Sequence, residues 1–382
     1  MSTAHSPGTA PIAAVAAAVP TSRTAAALDA EVSRRLSLLR FPLIVGVVFI
    51  HAYETTVWLS GYAVAAAGQA AWSQFVRDLV SQGVARVSVP LFFLIAAYLL
   101  FFGFDGSASG YLARLRSRAR TLLVPFLFWN LAVVAVFALA QALPWTAPLF
   151  NSGKPTVASY DAKQWLDALL GLTQPPIAYQ FWFIRDLFLL VLAAPLVYLA
   201  VTRAPAAGAL ALAACWLAGI GLGIPSIEGV FFFYLGAWLG VRRIDLCRID
   251  RFGAVLVAVF VVLVLADASS KPWVINDYLH KAAIVTGVAG ALYAAGRVHH
   301  GGRLERLLIT LSPASFFVFA MHEPALTFAR KVTYRLIAPE TAGATIAVYF
   351  AIPLTLILLL TALYFPLKRQ LPRLMALATG GR

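Results

Sequence analysis

Residues 344–367 read ATIAVYFAIPLTLILLLTALYFPL, an apolar run without a single charged side chain. A helix needs about 20 apolar residues to cross a hydrocarbon layer of about 30 Å, so this run predicts a membrane span. Similar runs recur along almost the whole chain. We therefore predict an all-α, polytopic transmembrane helical bundle. Its spans number about ten: 41–58, 87–102, 122–143, 181–201, 206–222, 227–241, 252–266, 278–295, 307–329 and 344–367.

The composition of the 382 residues agrees with a lipid environment. Hydrophobic residues make up 61% and charged residues only 12%, whereas a soluble domain carries about 25% charged residues. The net charge of +14 does not require nucleic acid, because Lys and Arg gather in the cytoplasmic loops of membrane proteins. We expect no nucleic-acid partner. Cys215 and Cys247 lack the spacing of a redox or metal motif, so we also expect no metal site.

Basic residues set the predicted orientation and the domain limits. Most of them flank alternate spans, at 34–40, 114–120, 242–251, 297–306 and 368–373. Because basic loops stay on the cytoplasmic side, both termini are predicted to be cytoplasmic. Residues 1–30 are then a flexible cytoplasmic tail, 31–370 a membrane domain and 371–382 a cytoplasmic C-terminal tail.

The first span carries Arg40 and, eleven residues later, His51. An ionisable side chain inside a bilayer costs a few kcal/mol or more, so His51 is a functional candidate. The spacing is about three helical turns, which puts both residues on one face about 16 Å apart. Histidine suits a general base, and Glu54 at i+3 would hold its imidazole in the required tautomer. The alternative is a histidine bonded to a backbone carbonyl of the bundle.

Four arginines at alternate positions precede the third span: Arg114, Arg116, Arg118 and Arg120. A guanidinium group binds phosphate oxygens in a bidentate manner, so the cluster is a candidate site for the phosphates of coenzyme A. The alternative is a basic anchor to anionic lipid headgroups.

A second set of polar residues opens the fourth span, where Trp182, Arg185 and Asp186 lie close together. Trp182 alone would be an ordinary interfacial anchor. Consecutive residues on a helix point about 100° apart, so Arg185 and Asp186 are not expected to face each other. Asp186 should therefore have another partner.

The ninth span holds a third set, Ser315, His322 and Glu323. His322 comes late in a span that runs outward, as His51 does in the first span, so the two are expected to line one cavity. The remaining histidines, His280 among them, are predicted to be solvated.

Together these residues resemble the acyltransferase-3 family of integral membrane O-acyltransferases, from about residue 34 to 367. One departure lies in the second span, where the family commonly has Ser-Gly after a Phe-Phe pair and this chain has Ile95-Ala96-Ala97. The match rests on Arg40-X10-His51, Val89-Pro-Leu-Phe-Phe-Leu, the arginine run that ends at Pro125, Phe181-Trp-Phe-Ile-Arg-Asp-Leu, Tyr234-Leu-Gly236, and Ser315-Phe-Phe with His322.

The resemblance implies a ten-helix enzyme that takes acyl groups, most often acetyl, from cytoplasmic acyl-CoA and transfers them to hydroxyls of surface or exported glycans. Residues 31–370 would then be a membrane acyltransferase domain without a bound cofactor, and acyl-CoA would be its co-substrate. Its other partners would be a glycan or lipid-linked sugar acceptor, the lipid bilayer and polysaccharide assembly proteins.

The family motifs also imply roles for single residues. Arg40 and His51 occupy the essential positions of the first span. The family's arginine pair in the second cytoplasmic segment would fall on any of Arg114, Arg116, Arg118 and Arg120, and this run would bind the donor. From its spacing alone we add Glu54 beside His51. Candidates for the acceptor side are Trp182, Arg185, Asp186, Ser315, His322 and Glu323.

Two other classes of protein remain as alternatives. A transporter or flippase of a lipid-linked sugar would also have charged residues inside the membrane. Such proteins are often built from inverted repeats with matching broken helices, and the sequence shows no such pairing. A regulatory protein with a degenerate acyltransferase body is disfavoured because Arg40 and His51 are both present. A covalent acyl-enzyme intermediate stays open.

Overall fold

The computed structural model describes residues 30–59, 62–65, 70–147, 155–337 and 339–381. Within these ranges the chain is helical apart from one antiparallel hairpin, formed by β1 (Thr56–Leu59) and β2 (Tyr62–Ala65). The predicted N-terminal tail lies outside the described residues except for Ala30. The predicted helical fold is thus confirmed for the described part of the chain.

The helices follow one another with short connections and several 3₁₀ or π turns. They are α1 (Ala30–His51), α2 (Ala71–Arg77), α3 (Ser88–Phe101), α4 (Ala108–Arg118), α5 (Val124–Ala142), α6 (Ala162–Leu170), α7 (Trp182–Leu192), α8 (Ala194–Arg203), α9 (Pro205–Leu217), α10 (Ile227–Val241), α11 (Gly253–Ser269), α12 (Asn276–Gly296), α13 (Arg303–Leu311), α14 (Ser315–Leu336), α15 (Ala342–Gln370) and α16 (Pro372–Thr379).

Among the described residues, five continuous helical segments are long and apolar enough to cross a membrane. Helices α7 and α8 would form a sixth span if their bend of 64° lies within the bilayer. The count of about ten spans and the side of the termini stay predictions. The five segments are Ala71–Phe101, Ala108–Ala142, Leu246–Ser269, Arg303–Leu336 and Ala342–Gln370.

Three boundaries differ from those predicted. Helix α1 ends at His51 instead of continuing to residue 58, and strand β1 follows it. The second span begins earlier than predicted, because α2 and a π turn extend it back to Ala71. Between the third and fourth predicted spans, at 144–180, the structure forms α6, and its first turn is closed by a capping box between Asp161 and Gln164.

Helices α3 and α10 approach each other closely because glycines lie between them. A Cβ atom at Gly236 would lie 2.2 Å from the carbonyl oxygen of Leu94, and one at Gly240 would lie 2.7 Å from that of Tyr98. Small residues at such positions let helix backbones pack directly against each other. The motif Tyr234-Leu-Gly236 therefore has a packing role, and it fixes α3, one wall of the site described below.

The start of α1 is held by an ion-pair network. The guanidinium of Arg35 binds both carboxylate oxygens of Asp250 at 2.7 Å, and Arg34 binds Glu305 at 2.8 Å. Both arginines also bind Glu31. These contacts join α1 to the segment before α11 and to α13, so Arg34 and Arg35 serve the fold.

Residues after Gln370, which we predicted to be a tail, form the packed helix α16. The indole Nε1 of Trp129 in α5 donates to the carbonyl of Ala378 at 2.8 Å, and the side chains of Met375 and Ala378 are buried. The C-terminal segment therefore covers the first half of α5.

Candidate active site

A cavity of about 520 Å³ is walled by α1, α3, α7 and α14. Helix α1 contributes both Arg40 and His51, so the predicted common face of these two residues is present in the structure. Between them the wall is mainly apolar, with side chains such as Val47, Phe92 and Phe319. The cavity is therefore an apolar passage that leads from a cation to a half-buried histidine.

Three cations line this cavity, Arg40, Arg118 and Lys368. The charge pattern predicts that all three lie at the cytoplasmic ends of helices. We call this cation-lined end of the cavity the mouth. Among the described lining residues none is a carboxylate. Arg40 and Arg118 make no hydrogen bond within the described part of the chain, whereas the Nζ of Lys368 donates to the hydroxyl of Tyr364 at 2.8 Å. The mouth is suited to an anion with several charges.

The other arginines of the predicted cluster lie elsewhere. Arg114 donates from Nε to the carbonyl of Leu100 at 2.8 Å and lies over the ring of Phe104, so it caps the end of α3. Arg116 and Arg120 are exposed and do not line the cavity. Alternate residues of a helix do not share one face, so the structure separates the four arginines. Donor binding by the whole run stays a prediction. Only Arg118 reaches the cavity.

His51 is the last residue of α1 and meets two other rings. Its ring centre lies 5.1 Å from that of Tyr179 and 5.1 Å from that of His322. No hydrogen bond joins the imidazole of His51 to another residue in the described ranges. The alternative in which a backbone carbonyl satisfies this histidine therefore has no support in the structure.

His322 is fully buried and its tautomer follows from its contacts. Its Nδ1 lies 2.6 Å from the carbonyl oxygen of Phe319, and a carbonyl only accepts, so we assign the proton to Nδ1. The lone pair is then on Nε2, which has no hydrogen-bond partner among the described residues. The two histidines are neighbours, as expected, but only His51 lines the cavity, so the prediction that both line it is wrong for His322. His322 lies behind His51 and leaves a free acceptor beside it.

A break in α14 explains the position of Gln180, which the sequence analysis missed. Pro324 has no N–H, so the carbonyl of Ala320 loses its helical donor. The Nε2 of Gln180 donates to that carbonyl at 3.1 Å and to the carbonyl of Glu323 at 2.9 Å. Gln180 lines the cavity. The signal in the sequence was Pro324, because a proline inside an apolar helix requires a replacement donor nearby.

Glu323 and Glu54 are placed very differently. The buried carboxylate of Glu323 accepts from the hydroxyl of Tyr179 at 3.1 Å, and through Tyr179 it is connected to His51. Glu54 is exposed and follows the end of α1, so the helical i+3 relation to His51 does not exist. The predicted support of His51 by Glu54 is wrong for that reason. The backbone carbonyl of Glu54 accepts a hydrogen bond from the guanidinium of Arg330 at 2.9 Å.

The prediction that Arg185 and Asp186 do not face each other is also wrong. They form an ion pair at 2.9 Å, because the long arginine side chain turns back along its own helix. Asp186 accepts in addition from the backbone N–H of Ser226 at 2.8 Å, and Arg185 donates to the carbonyl of Gly171 at 2.5 Å. The pair joins α7 to α10 and to a loop. Of the three residues predicted there, only Trp182 lines the cavity.

Other residues that the sequence singled out lie either on the cavity wall or away from it. Ile95 and Ala96, where the resembled family commonly has Ser-Gly, line the cavity and make this part of the wall apolar. Ser315 also lines it. His280, predicted to be solvated, instead lies 3.3 Å from the buried carboxylate of Asp267 and away from the cavity.

Comparisons of the sequence with known proteins identify its family. The sequence profile of the acyltransferase domain family acyltransferase-3 matches residues 34–364. The succinoglycan biosynthesis protein ExoH of Rhizobium meliloti (strain 1021) is 29% identical over 370 residues, which are 93% of this chain and 94% of that protein. No solved structure matches the chain significantly. The matched range includes Arg40, His51, Arg118 and His322, and Lys368 lies just beyond it.

Proposed function

The chain belongs to the acyltransferase-3 family and is therefore an acyltransferase, and we propose that it moves an acyl group from acyl-CoA to a hydroxyl of a surface or exported glycan. The apolar helices and the family together indicate a membrane protein. We place it in the bacterial inner membrane as a multi-pass protein. The similar protein ExoH is named for succinoglycan biosynthesis, which supports a glycan acceptor. Acetyl-CoA is the donor to test first.

One observation carries this proposal: a single cavity connects a cationic mouth to His51. Along α1 the distance from Arg40 to His51 is about 16 Å. A donor whose phosphates bind Arg40, Arg118 and Lys368 would extend its arm along the apolar wall. Its thioester would then reach the histidine at the end of α1.

In the proposed reaction His51 acts as the general base. The acceptor hydroxyl gives its proton to the imidazole of His51 while its oxygen attacks the carbonyl carbon of the thioester. The carbon–sulfur bond breaks, and the departing thiolate takes the proton back from the imidazolium. The products are the acylated glycan and coenzyme A with a free thiol. Both reactants must be held together for this step, as they would be within one cavity that contains His51.

His322 and Glu323 complete the site from the side of α14. We assign to His322 the role of a positioning residue, because its free Nε2 lies beside His51 and can accept a hydrogen bond from the N–H of that ring. Such a bond would fix the tautomer in which the other nitrogen of His51 is free to take a proton. Glu323 and Tyr179 would contact the acceptor or the water around it.

Arg118→Gln is expected to raise the KM for acyl-CoA by about tenfold or more. A hydrogen bond to a charged group contributes about 1.5–3 kcal/mol, and a phosphate contact made equally in the ground and transition states acts on binding. The kcat should change little. Initial rates at varied acetyl-CoA concentration, measured on membranes that contain the variant, test this expectation.

Arg116→Gln provides the matched control, since it removes the same charge from an exposed position two residues away. We expect a much smaller effect on KM from this variant. Equal effects of the two variants would mean that general surface charge attracts the donor, and an unchanged KM in Arg118→Gln would contradict the donor site.

A further inference from the structure

Six buried side-chain atoms have no hydrogen-bond partner among the described residues. Two of them, Gln180 Oε1 and Ser315 Oγ, belong to residues that line the cavity. Gln180 is 1% exposed and Ser315 is 7% exposed. An unsatisfied buried polar group costs about 1–3 kcal/mol, so such atoms are expected to meet a partner in the working protein.

The free hydroxyl of Ser315 differs from many other helical hydroxyls of this chain. Ser269, Thr286, Thr310 and Thr379 each donate to the carbonyl four residues earlier, at 2.7–2.9 Å. This back-bond is the usual arrangement for serine and threonine inside a helix. Ser315, the first residue of α14 after a 3₁₀ turn, does not form it, and Ser315 lines the cavity.

The contacts of Gln180 leave its side chain free to act only as a hydrogen-bond acceptor. Its Nε2 is used by the two carbonyls freed at the break in α14, so Oε1 is the atom that remains. An amide oxygen only accepts, and its partner must therefore bring an N–H or an O–H. Ser315 can donate as well as accept.

The two atoms lie at different depths in the cavity. Gln180 is anchored to Ala320 and Glu323, on either side of His322, whereas Ser315 precedes Ala320 by five residues of α14, or about 7.5 Å of helix rise. It precedes His322 by about 10 Å of rise. One acceptor hydroxyl beside His51 therefore does not account for both atoms, and an extended ligand with polar groups along its length does.

We propose that Gln180 Oε1 and Ser315 Oγ bind the two secondary amides in the pantetheine arm of the acyl-CoA donor. This inference rests on the proposed function. The arm carries these amides one after the other on the phosphate side of the thioester. Along α14, Gln180 is anchored at the level of His322, next to His51, and Ser315 lies about 10 Å of helix rise before His322. Gln180 accepts from one amide N–H and Ser315 donates to an amide carbonyl. The donor is thus recognised along its arm as well as by its charge.

Ser315→Ala should weaken the binding of coenzyme A by about threefold to tenfold, the effect of one hydrogen bond between neutral groups. The same variant should bind adenosine 3′,5′-bisphosphate, which has phosphates but no pantetheine arm, as tightly as the unaltered protein does. Arg118→Gln should weaken the binding of both probes. Calorimetric titration of the purified full chain in lipid nanodiscs gives these affinities.

The control is Ser269→Ala, which removes an exposed, back-bonded hydroxyl from α11, outside the cavity. Thermal unfolding of Ser315→Ala should match that of the unaltered chain, because no protein group loses a partner. Gln180 is a less direct probe, since its replacement also frees two carbonyls.

The outcomes separate the two proposals. If coenzyme A binds Ser315→Ala as tightly as it binds the unaltered chain, the proposed amide contacts are overturned. The donor proposal remains intact in that case. Equal weakening of both probes by Ser315→Ala would also overturn them, because the effect would not depend on the arm. Failure of the unaltered chain to bind coenzyme A would refute the proposed donor itself.

Discussion

His51→Ala is expected to reduce acyl transfer by about 10²–10⁴-fold, the contribution of a general base to such a reaction. The variant removes the only imidazole that the cavity wall contributes among the described lining residues. Because no described residue depends on its ring for a hydrogen bond, the helix bundle should remain intact. The measurement is the rate of acyl incorporation into the glycan of cells that produce the variant in place of the original protein.

The matched control is His300→Ala. It removes an exposed histidine of the loop between α12 and α13, which lies near Glu31 at the start of α1, at the other end of that helix from His51. Its transfer rate should stay close to that of the unaltered protein. Equal amounts of both variants in the membrane must be shown by immunoblot. Undiminished acylation by His51→Ala would contradict a role as base.

His322→Ala is expected to lower kcat by about 10- to 100-fold while the KM for acyl-CoA changes little. The fully buried His322 lies outside the cavity wall, so its proposed effect reaches the reaction through His51. Loss of the Nε2 acceptor would leave His51 without a fixed tautomer. Steady-state kinetics at varied donor concentration separate the two constants.

Two further variants distinguish positioning from packing. The amide of His322→Gln reaches the place of Nε2, whereas the amide of His322→Asn reaches only that of Nδ1. Partial recovery of kcat in His322→Gln, and none in His322→Asn, would support the contact with His51. If all three variants lose thermal stability in proportion to their loss of kcat, His322 only supports the bundle.

The relation between Arg40 and His51 was predictable because it depends on helical periodicity alone. Both lie within α1, and a helix places residues eleven positions apart on one face. The approach of His322 was also predictable in outline, from its depth in an outward-running span. What periodicity does not supply is the tautomer of His322, which depends on the carbonyl of Phe319.

The errors arose where the chain departs from a regular helix. Glu54 was placed by extending α1 beyond His51, but the helix ends there and a strand follows. Gln180 was missed because its position depends on the break at Pro324, in a helix distant in sequence. The pairing of Arg185 with Asp186 depends on side-chain length, which a helical projection ignores.

The arginine run shows a second limit of the sequence. Its charge pattern predicted a basic cluster, but tertiary packing gives each arginine a separate task. Arg114 caps α3 and Arg118 enters the cavity. Lys368, which the sequence analysis used only for orientation, joins Arg118 there because α15 returns to the same end of the bundle.

Transfer from a cytoplasmic donor through this cavity is measured most directly in sealed membrane vesicles supplied with radioactive acetyl-CoA on the outside. Inverted vesicles, which expose the cytoplasmic face, should incorporate the label into the glycan fraction when they contain the unaltered protein. Inverted vesicles with His51→Ala, and right-side-out vesicles with the unaltered protein, should not. Label in the glycan of right-side-out vesicles alone would contradict donor entry at the Arg118 mouth. Label in inverted His51→Ala vesicles to the same extent as in inverted vesicles with the unaltered protein would contradict transfer at His51.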